Sequence, residues 1–197
     1  EGLVDGVRVD PIDGLYDPTT YLRRLRALVG PDAYIAVEKI LEQNERLPKE
    51  WPIQGTTGYD FLALCNNLLS YRADEKKWTK NYQKLSGITS TVDDLQVKAK
   101  ARIVHEHLAG ELDNLCRLFL TLRLFGKRPV KRKVVRELIG GFITYFPVYR
   151  IYDTHFPLIK KSYFLIQSVL DNLSDNHPSI GKEISWMRKL FAMAQHG

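Results

Sequence analysis

A chain of 197 residues with 44% hydrophobic and 11% aromatic residues can bury a core, and its length suits one domain or a domain with an appendage. No run approaches the roughly 18 consecutive apolar residues of a membrane span, and the N-terminus lacks the basic-then-apolar order of a signal peptide; both features predict a cytoplasmic chain with no membrane partner. The net charge of +6 is unevenly divided: residues 1–60 hold 7 Lys/Arg against 11 Asp/Glu, and residues 61–197 hold the remaining 22 against 12.

The sequence opens without Met and with a strand already under way, which predicts a piece of a longer polypeptide. The Val- and Leu-rich stretch 3–10 stops at Asp10-Pro-Ile-Asp-Gly14, the pattern of a short buried strand ending in a turn. A helix follows: Asp17 can cap it, Pro18 suits its first turn, Tyr21, Leu22, Leu25 and Leu28 recur at helical spacing, and Gly30-Pro31 ends it. AYIAVEKIL at 33–41 reads as a second apolar strand, and strand, helix and strand in about 40 residues make a βαβ unit with parallel strands. Residues 42–60, with Pro48, Pro52 and Gly55-Thr-Thr-Gly58, read as a long loop.

Beyond residue 60 the period becomes helical. Segments 61–71, 97–125, 130–146, 156–173 and 181–195 are predicted helices, and in the second Ile103, Leu108, Leu112, Leu115, Phe119 and Leu122 form an apolar stripe. Cys65 and Cys116 both fall within apolar helical pattern, which predicts buried reduced thiols. The fold expected is mainly α, with one βαβ unit in 1–60 joined to a multi-helix region in 61–197. There is no internal repeat or low-complexity tract.

Asp10 and Glu38 sit at the C-terminal ends of two consecutive parallel strands, where α/β barrels and open α/β sheets place reactive groups. Arg8, two residues before Asp10, leaves the same strand face and is expected to hold Asp10 ionised, as a nucleophile requires. Glu38, on an otherwise apolar strand, is expected to be raised by desolvation, as a proton donor requires. A retaining glycosidase divides labour in this way between carboxyl groups about 5 Å apart, yet strand-end carboxylates also commonly cap a helix or bind an Arg.

Gly6-Val7-Arg8-Val9-Asp10 resembles the strand-four motif of the α-amylase family, with an Arg two residues before the nucleophilic Asp. Val37-Glu38-Lys39-Ile40-Leu41 resembles the strand-five acid/base segment of one branch, the maltooligosyl trehalose synthases. Ile12-Asp13-Gly14-Leu15, Glu45-Arg46-Leu47-Pro48, residues 55–61 (GTTGYDF) and Phe146-Pro147-Val148-Tyr149-Arg150 are similar to that branch too. The resemblance implies an (α/β)8 barrel, of which 1–60 holds strand four, helix four, strand five and the following loop, with 61–197 as a helical insertion. It implies a (1→4)-α-D-glucan 1-α-D-glucosylmutase, acting on maltooligosaccharide without metal or organic cofactor. In this enzyme Asp10 attacks the penultimate glucose, Glu38 protonates the departing reducing-end glucose, and the retained glucose returns through its 1-hydroxyl to give an α,α-1,1 link. It further implies that Arg8 orients Asp10 and that Asp13, Lys39, Tyr59 and Asp60 contact sugar.

Two departures qualify the resemblance. Pro11 stands where the family usually has a His after the nucleophile, and the stretches carrying the family's Asp/His substrate motif and third catalytic carboxylate do not occur in this sequence. The isolated chain is therefore expected to be inactive. The rival reading is a basic α-helical interaction module whose +10 surface binds an acidic partner; it accounts for 61–197 but leaves the pattern of 2–61 as coincidence. The basic cluster GKRPVKRK at 126–133 contains the helix breaker Pro129 and reads as a solvated loop, so no nucleic-acid partner is expected. His105-Glu106-His107 lacks the HExxH spacing of a zinc helix, and Gly140-Gly141 reads as close helix packing, since GxGxxG and GxxxxGK[ST] are both absent. Trp51 suits either a sugar platform or a loop anchor, and Tyr145, Phe146, Tyr149 and Tyr152 suit core more than groove.

Overall fold

Strand β1 (Gly6–Val9) pairs in parallel with β2 (Tyr34–Val37), and β2 pairs in parallel with β3 (Gly55–Thr56), giving the sheet order β1-β2-β3. The computed structural model describes residues 4–42, 45–126 and 128–196. β1 and β2 approach so closely at Gly6 that a Cβ there would lie 2.6 Å from the Tyr34 carbonyl oxygen, so the site admits only glycine without displacing backbone. Helix α1 (Pro18–Val29) joins them. Asp17 caps it by accepting from the Thr20 amide at 2.9 Å, Pro18 fills its first turn, and Gly30 ends it at φ 92. The expected βαβ unit is present.

The third strand corrects the reading of 42–60 as loop throughout. The ladder is extended on either side of β3, where the Gln54 amide donates to the Ile35 carbonyl at 2.9 Å and the Thr57 amide to the Val37 carbonyl at 3.0 Å. Two residues are too few to show a period of two, so the strand left no pattern to read. Arg26 on α1 locks this arrangement by donating to the carbonyls of Pro52 and Ala33 and to Gln54 Oε1, which itself accepts from the Ile35 amide. Ile12, Leu22, Ile35, Val37 and Trp51 form the core beneath the sheet, with Tyr152 packed against it.

These elements belong to a compact unit comprising residues 1–88 and 148–154. The same unit carries α2 (Tyr59–Leu68) and α3 (Glu75–Ser86), whose large apolar side chains stay exposed. Helix α3 was not among the predicted helices. Its signal is a sparse one, Trp78, Tyr82 and Leu85 on one face with Gly87 as the stop at φ 69, amid mostly polar residues.

The second unit, 89–147 with 155–197, is helical. Helix α4 (Val92–Arg102) begins with a capping box in which Thr91 and Asp94 satisfy each other's backbone amides, and it continues through a π turn (Ile103–His107) into α5 (Ala109–Thr121). Helix α6 (Arg132–Tyr145) packs against α4, α5, α7 (Lys160–Asn176) and α8 (Gly181–His196). The π turn shifts the phase of the expected stripe: Val104, Leu112 and Cys116 are buried, while Ile103, Leu108, Leu115 and Leu122 face solvent. Gly140 and Gly141 do serve close packing, since a Cβ would lie 2.7 Å from His105 Cε1 at the first and 2.4 Å from Leu173 Cδ1 at the second.

Among the described residues no strand follows Thr56, and no helix is long and apolar enough to cross a membrane. Both cysteines are free; Cys116 is buried, its thiol pushed up by that burial, whereas Cys65 is only half-buried.

Candidate active site

The parallel register of β1 and β2 sets Val9 beside Val37, so the residues that follow, Asp10 and Glu38, emerge together at the same end of the sheet. The Glu38 amide donates to the Val9 carbonyl at 2.8 Å and fixes this relation. Arg8 reaches both carboxylates with one nitrogen, 2.5 Å from Asp10 Oδ2 and 2.6 Å from Glu38 Oε2. Those two reaches together, 5.1 Å, are the greatest separation the two oxygens can have.

The charge division differs from the one expected. The neighbouring Glu38 carboxylate holds the Asp10 carboxyl above its ordinary value of 3.8; desolvation acts in the same direction, and Arg8 opposes both. The same proximity to Asp10, followed by the Arg8 guanidinium, holds Glu38 below 4.5. Arg8, itself raised by Glu38 and Asp10, serves both groups. Sequence spacing assigned Arg8 to Asp10 alone and surrounded Glu38 with apolar residues. In the fold Glu38 points toward the open strand end, where the Tyr59 hydroxyl also approaches it at 3.5 Å.

The four residues considered as sugar contacts separate into two pairs. Tyr59 and Asp60, at the start of α2, lie on the strand-end side, and Asp60 accepts from the Thr56 hydroxyl at 2.7 Å, which holds its carboxyl below the usual range. Lys39 is instead 2% exposed. Its Nζ lies 3.2 Å from Asp13 Oδ2 and 2.9 Å from Glu45 Oε1, held by charge rather than by aligned hydrogen bonds. The Tyr152 hydroxyl donates to Asp13 Oδ1, and burial together with that carboxylate pushes the phenol up. The Arg150 guanidinium donates to the carbonyls of Asp13 at 3.2 Å, Leu15 at 2.5 Å and Tyr16 at 3.2 Å. Sequence reasoning missed Glu45, Arg150 and Tyr152 as neighbours of the site. Arg150 belonged to a recognised motif, but nothing in the spacing indicated that it returns to the loop after β1.

Other sequence candidates take ordinary places. Trp51 is a core anchor, its Nε1 donating to Thr19 Oγ1 at 2.9 Å and its ring meeting Tyr152 edge-on at 5.1 Å. Tyr145 and Phe146 are half-buried, and Tyr149 is exposed. His105, Glu106 and His107 occupy the π turn, and no group of His, Cys, Asp and Glu among the described residues could hold a metal ion. In the basic cluster Arg128 lies over the Trp186 ring at 5.2 Å and Arg132 pairs with Asp113, while Lys127 lies outside the described residues.

No family model matches the sequence. Two Mycobacterium tuberculosis proteins assigned to maltooligosyl trehalose synthase are each 44% identical to it over 124 residues, covering 59% of this chain and 15% of the relative. The chain thus spans about 15% of the length of the curated relatives it matches. The solved maltooligosyltrehalose synthase of Arthrobacter ramosus covers 95% of this chain at 31% identity with a TM-score of 0.77, the chain covering 23% of that structure. A solved glycosyltrehalose synthase covers 98% of it at 32% identity with a TM-score of 0.70, the chain covering 24% of that structure. By sequence and by fold, this chain is a homologue of one segment of the maltooligosyl trehalose synthases.

Proposed function

We propose that this chain supplies the nucleophile and the acid/base carboxylate of an α-glucan transglycosidase that converts the reducing-end maltosyl unit of maltooligosaccharides into a trehalosyl unit. The observation that carries the reading is the Asp10–Glu38 pair, joined by one Arg8 nitrogen at the shared end of two parallel strands, which supplies the two closely spaced carboxyl groups of a retaining mechanism. Residues 1–60 would then be strand four, helix four, strand five and the following loop of an (α/β)8 barrel, and residues 61–197 an insertion into it.

The chemistry needs an ionised Asp10 and a protonated Glu38, the reverse of the directions in which the pair shifts without substrate, so sugar binding must redistribute charge between them. Asp10 attacks the anomeric carbon of the penultimate glucose while Glu38 gives its proton to the departing glycosidic oxygen. The released glucose stays bound, Glu38 takes the proton of its 1-hydroxyl, and that oxygen displaces Asp10 to form the α,α-1,1 link. Two inversions preserve configuration, and the product is an isomer of the substrate. Water must be kept from the glycosyl intermediate. With the Asp10 side chain 51% exposed, this chain alone does not shield the site, which supports an inactive isolated segment.

The test is turnover of maltooligosaccharide to a nonreducing product by the full-length polypeptide carrying this segment. Asp10→Ala and Glu38→Gln should each cost several orders of magnitude in kcat. Tolerance of both would refute the assignment.

A further inference from the structure

We propose that Lys39 is a positioning residue for the two carboxylates, fixed by Asp13 and Glu45 and braced by Tyr152, so that segment 148–154 forms part of the catalytic apparatus. The catalytic wording rests on the function proposed above; the positioning claim stands on the geometry alone.

Lys39 directly follows Glu38, one Cα step of about 3.8 Å away. Asp13 lies three residues after Asp10, in the turn closed by the Leu15 amide donating to the Ile12 carbonyl at 3.3 Å. The Lys39–Asp13 contact at 3.2 Å therefore ties the loop leaving β1 to the loop leaving β2, directly behind the groups that carry the chemistry. Glu45, at 2.9 Å, holds the ammonium from further along the second loop.

A buried ammonium facing two carboxylates has a narrow range of tolerable positions. Moving any partner away leaves a charge without water or counter-charge, so the contact resists displacement more strongly than an exposed pair does. Tyr152 narrows the range further. Its hydroxyl donates to Asp13, its ring centre lies 5.8 Å from Lys39 Nζ, and the Arg150 guanidinium lies over the same ring at 5.1 Å while holding three carbonyls of the same turn. The ion pairs and hydrogen bonds of these groups run to one another and to the loop backbone, whereas Arg8 pairs with Asp10 and Glu38; Lys39 and its partners thus act through the backbone that carries those two residues.

The experiment uses Tyr152→Phe, which removes one oxygen and keeps the ring, and Lys39→Met, which keeps much of the stem volume and removes the charge. In the 197-residue chain, carboxyl-detected NMR titration should find Asp10 above and Glu38 below their ordinary values. In both variants the two titrations should move back toward ordinary carboxylate values as the two groups lose their fixed spacing to each other and to Arg8. Folded variants that keep the original pair of titrations would overturn the proposal, and if Lys39→Met does not fold, Tyr152→Phe decides alone. In the full-length enzyme, kcat should fall about 10–100-fold with KM within about twofold. Unchanged kcat would also overturn it. Absence of maltooligosaccharide turnover in the unmodified enzyme would refute the function proposed above, while the titrations would still decide the positioning claim.

Discussion

Arg8 donates from a single nitrogen to two carboxylates, and this arrangement bears on the titration of both. The guanidinium favours the ionised form of each group, against the repulsion between them. Removing it by Arg8→Met leaves two facing carboxylates without their cation, so both titrations should move upward. The acid limb of the kcat/KM profile of the full-length enzyme should move to higher pH in step. A carboxyl titration of the variant that overlays the unmodified one would show that Arg8 is a bystander. The linkage of the pair to stability runs in opposite directions. Glu38, lowered in the fold, contributes above its ordinary 4.5 and loses that contribution as pH falls through its folded value. Asp10, raised in the fold, contributes below its ordinary 3.8 and loses that contribution as pH rises through its folded value. The identity of Asp10 and Glu38 was legible from spacing, because strand pairing dictates which residues meet. The directions of their pKa shifts were not, because they depend on a guanidinium reaching across 30 positions of sequence.

At the level of elements, α6 is the helix around which the second unit packs, and its two adjacent glycines set how closely its neighbours approach. A methyl group at Gly141 would fall 2.4 Å from Leu173 Cδ1, and Leu173 is fully buried. Gly141→Ala should therefore cost about 1–3 kcal/mol, since the small gain in helix propensity is outweighed by overpacking. Thermal or urea unfolding of the variant would measure it, and an unchanged midpoint would mean that Leu173 has room to turn away. Sequence pattern anticipated close packing here because two glycines within an apolar helix have little other use. It did not anticipate the π turn, in which one wider turn between α4 and α5 exchanges buried and exposed positions along a helix that otherwise reads as continuous. It also passed over α3, whose apolar residues meet no core of this chain and so left only a faint periodic signal.

For the molecule as a whole, the isolated chain should give no measurable turnover of maltooligosaccharides, because the carboxylates proposed to react stand open to water. Incubation with maltopentaose and assay for nonreducing product would test this, and any steady production would mean that the segment is more complete than its open strand end suggests. The division of the chain also has a temporal consequence. The first unit is interrupted after residue 88 and resumes at 148, where Arg150 and Tyr152 supply its remaining contacts. On a translating ribosome, the sheet is complete at Thr57 and then waits about 95 residues for Tyr152, the side chain that seats against Trp51. At about 5–20 residues per second that interval lasts on the order of 5–19 s. Throughout it the nascent sheet lacks the piece that closes its core, so chaperone occupancy on stalled nascent chains should be greatest while residue 152 is still inside the exit tunnel and should fall once that residue has cleared it.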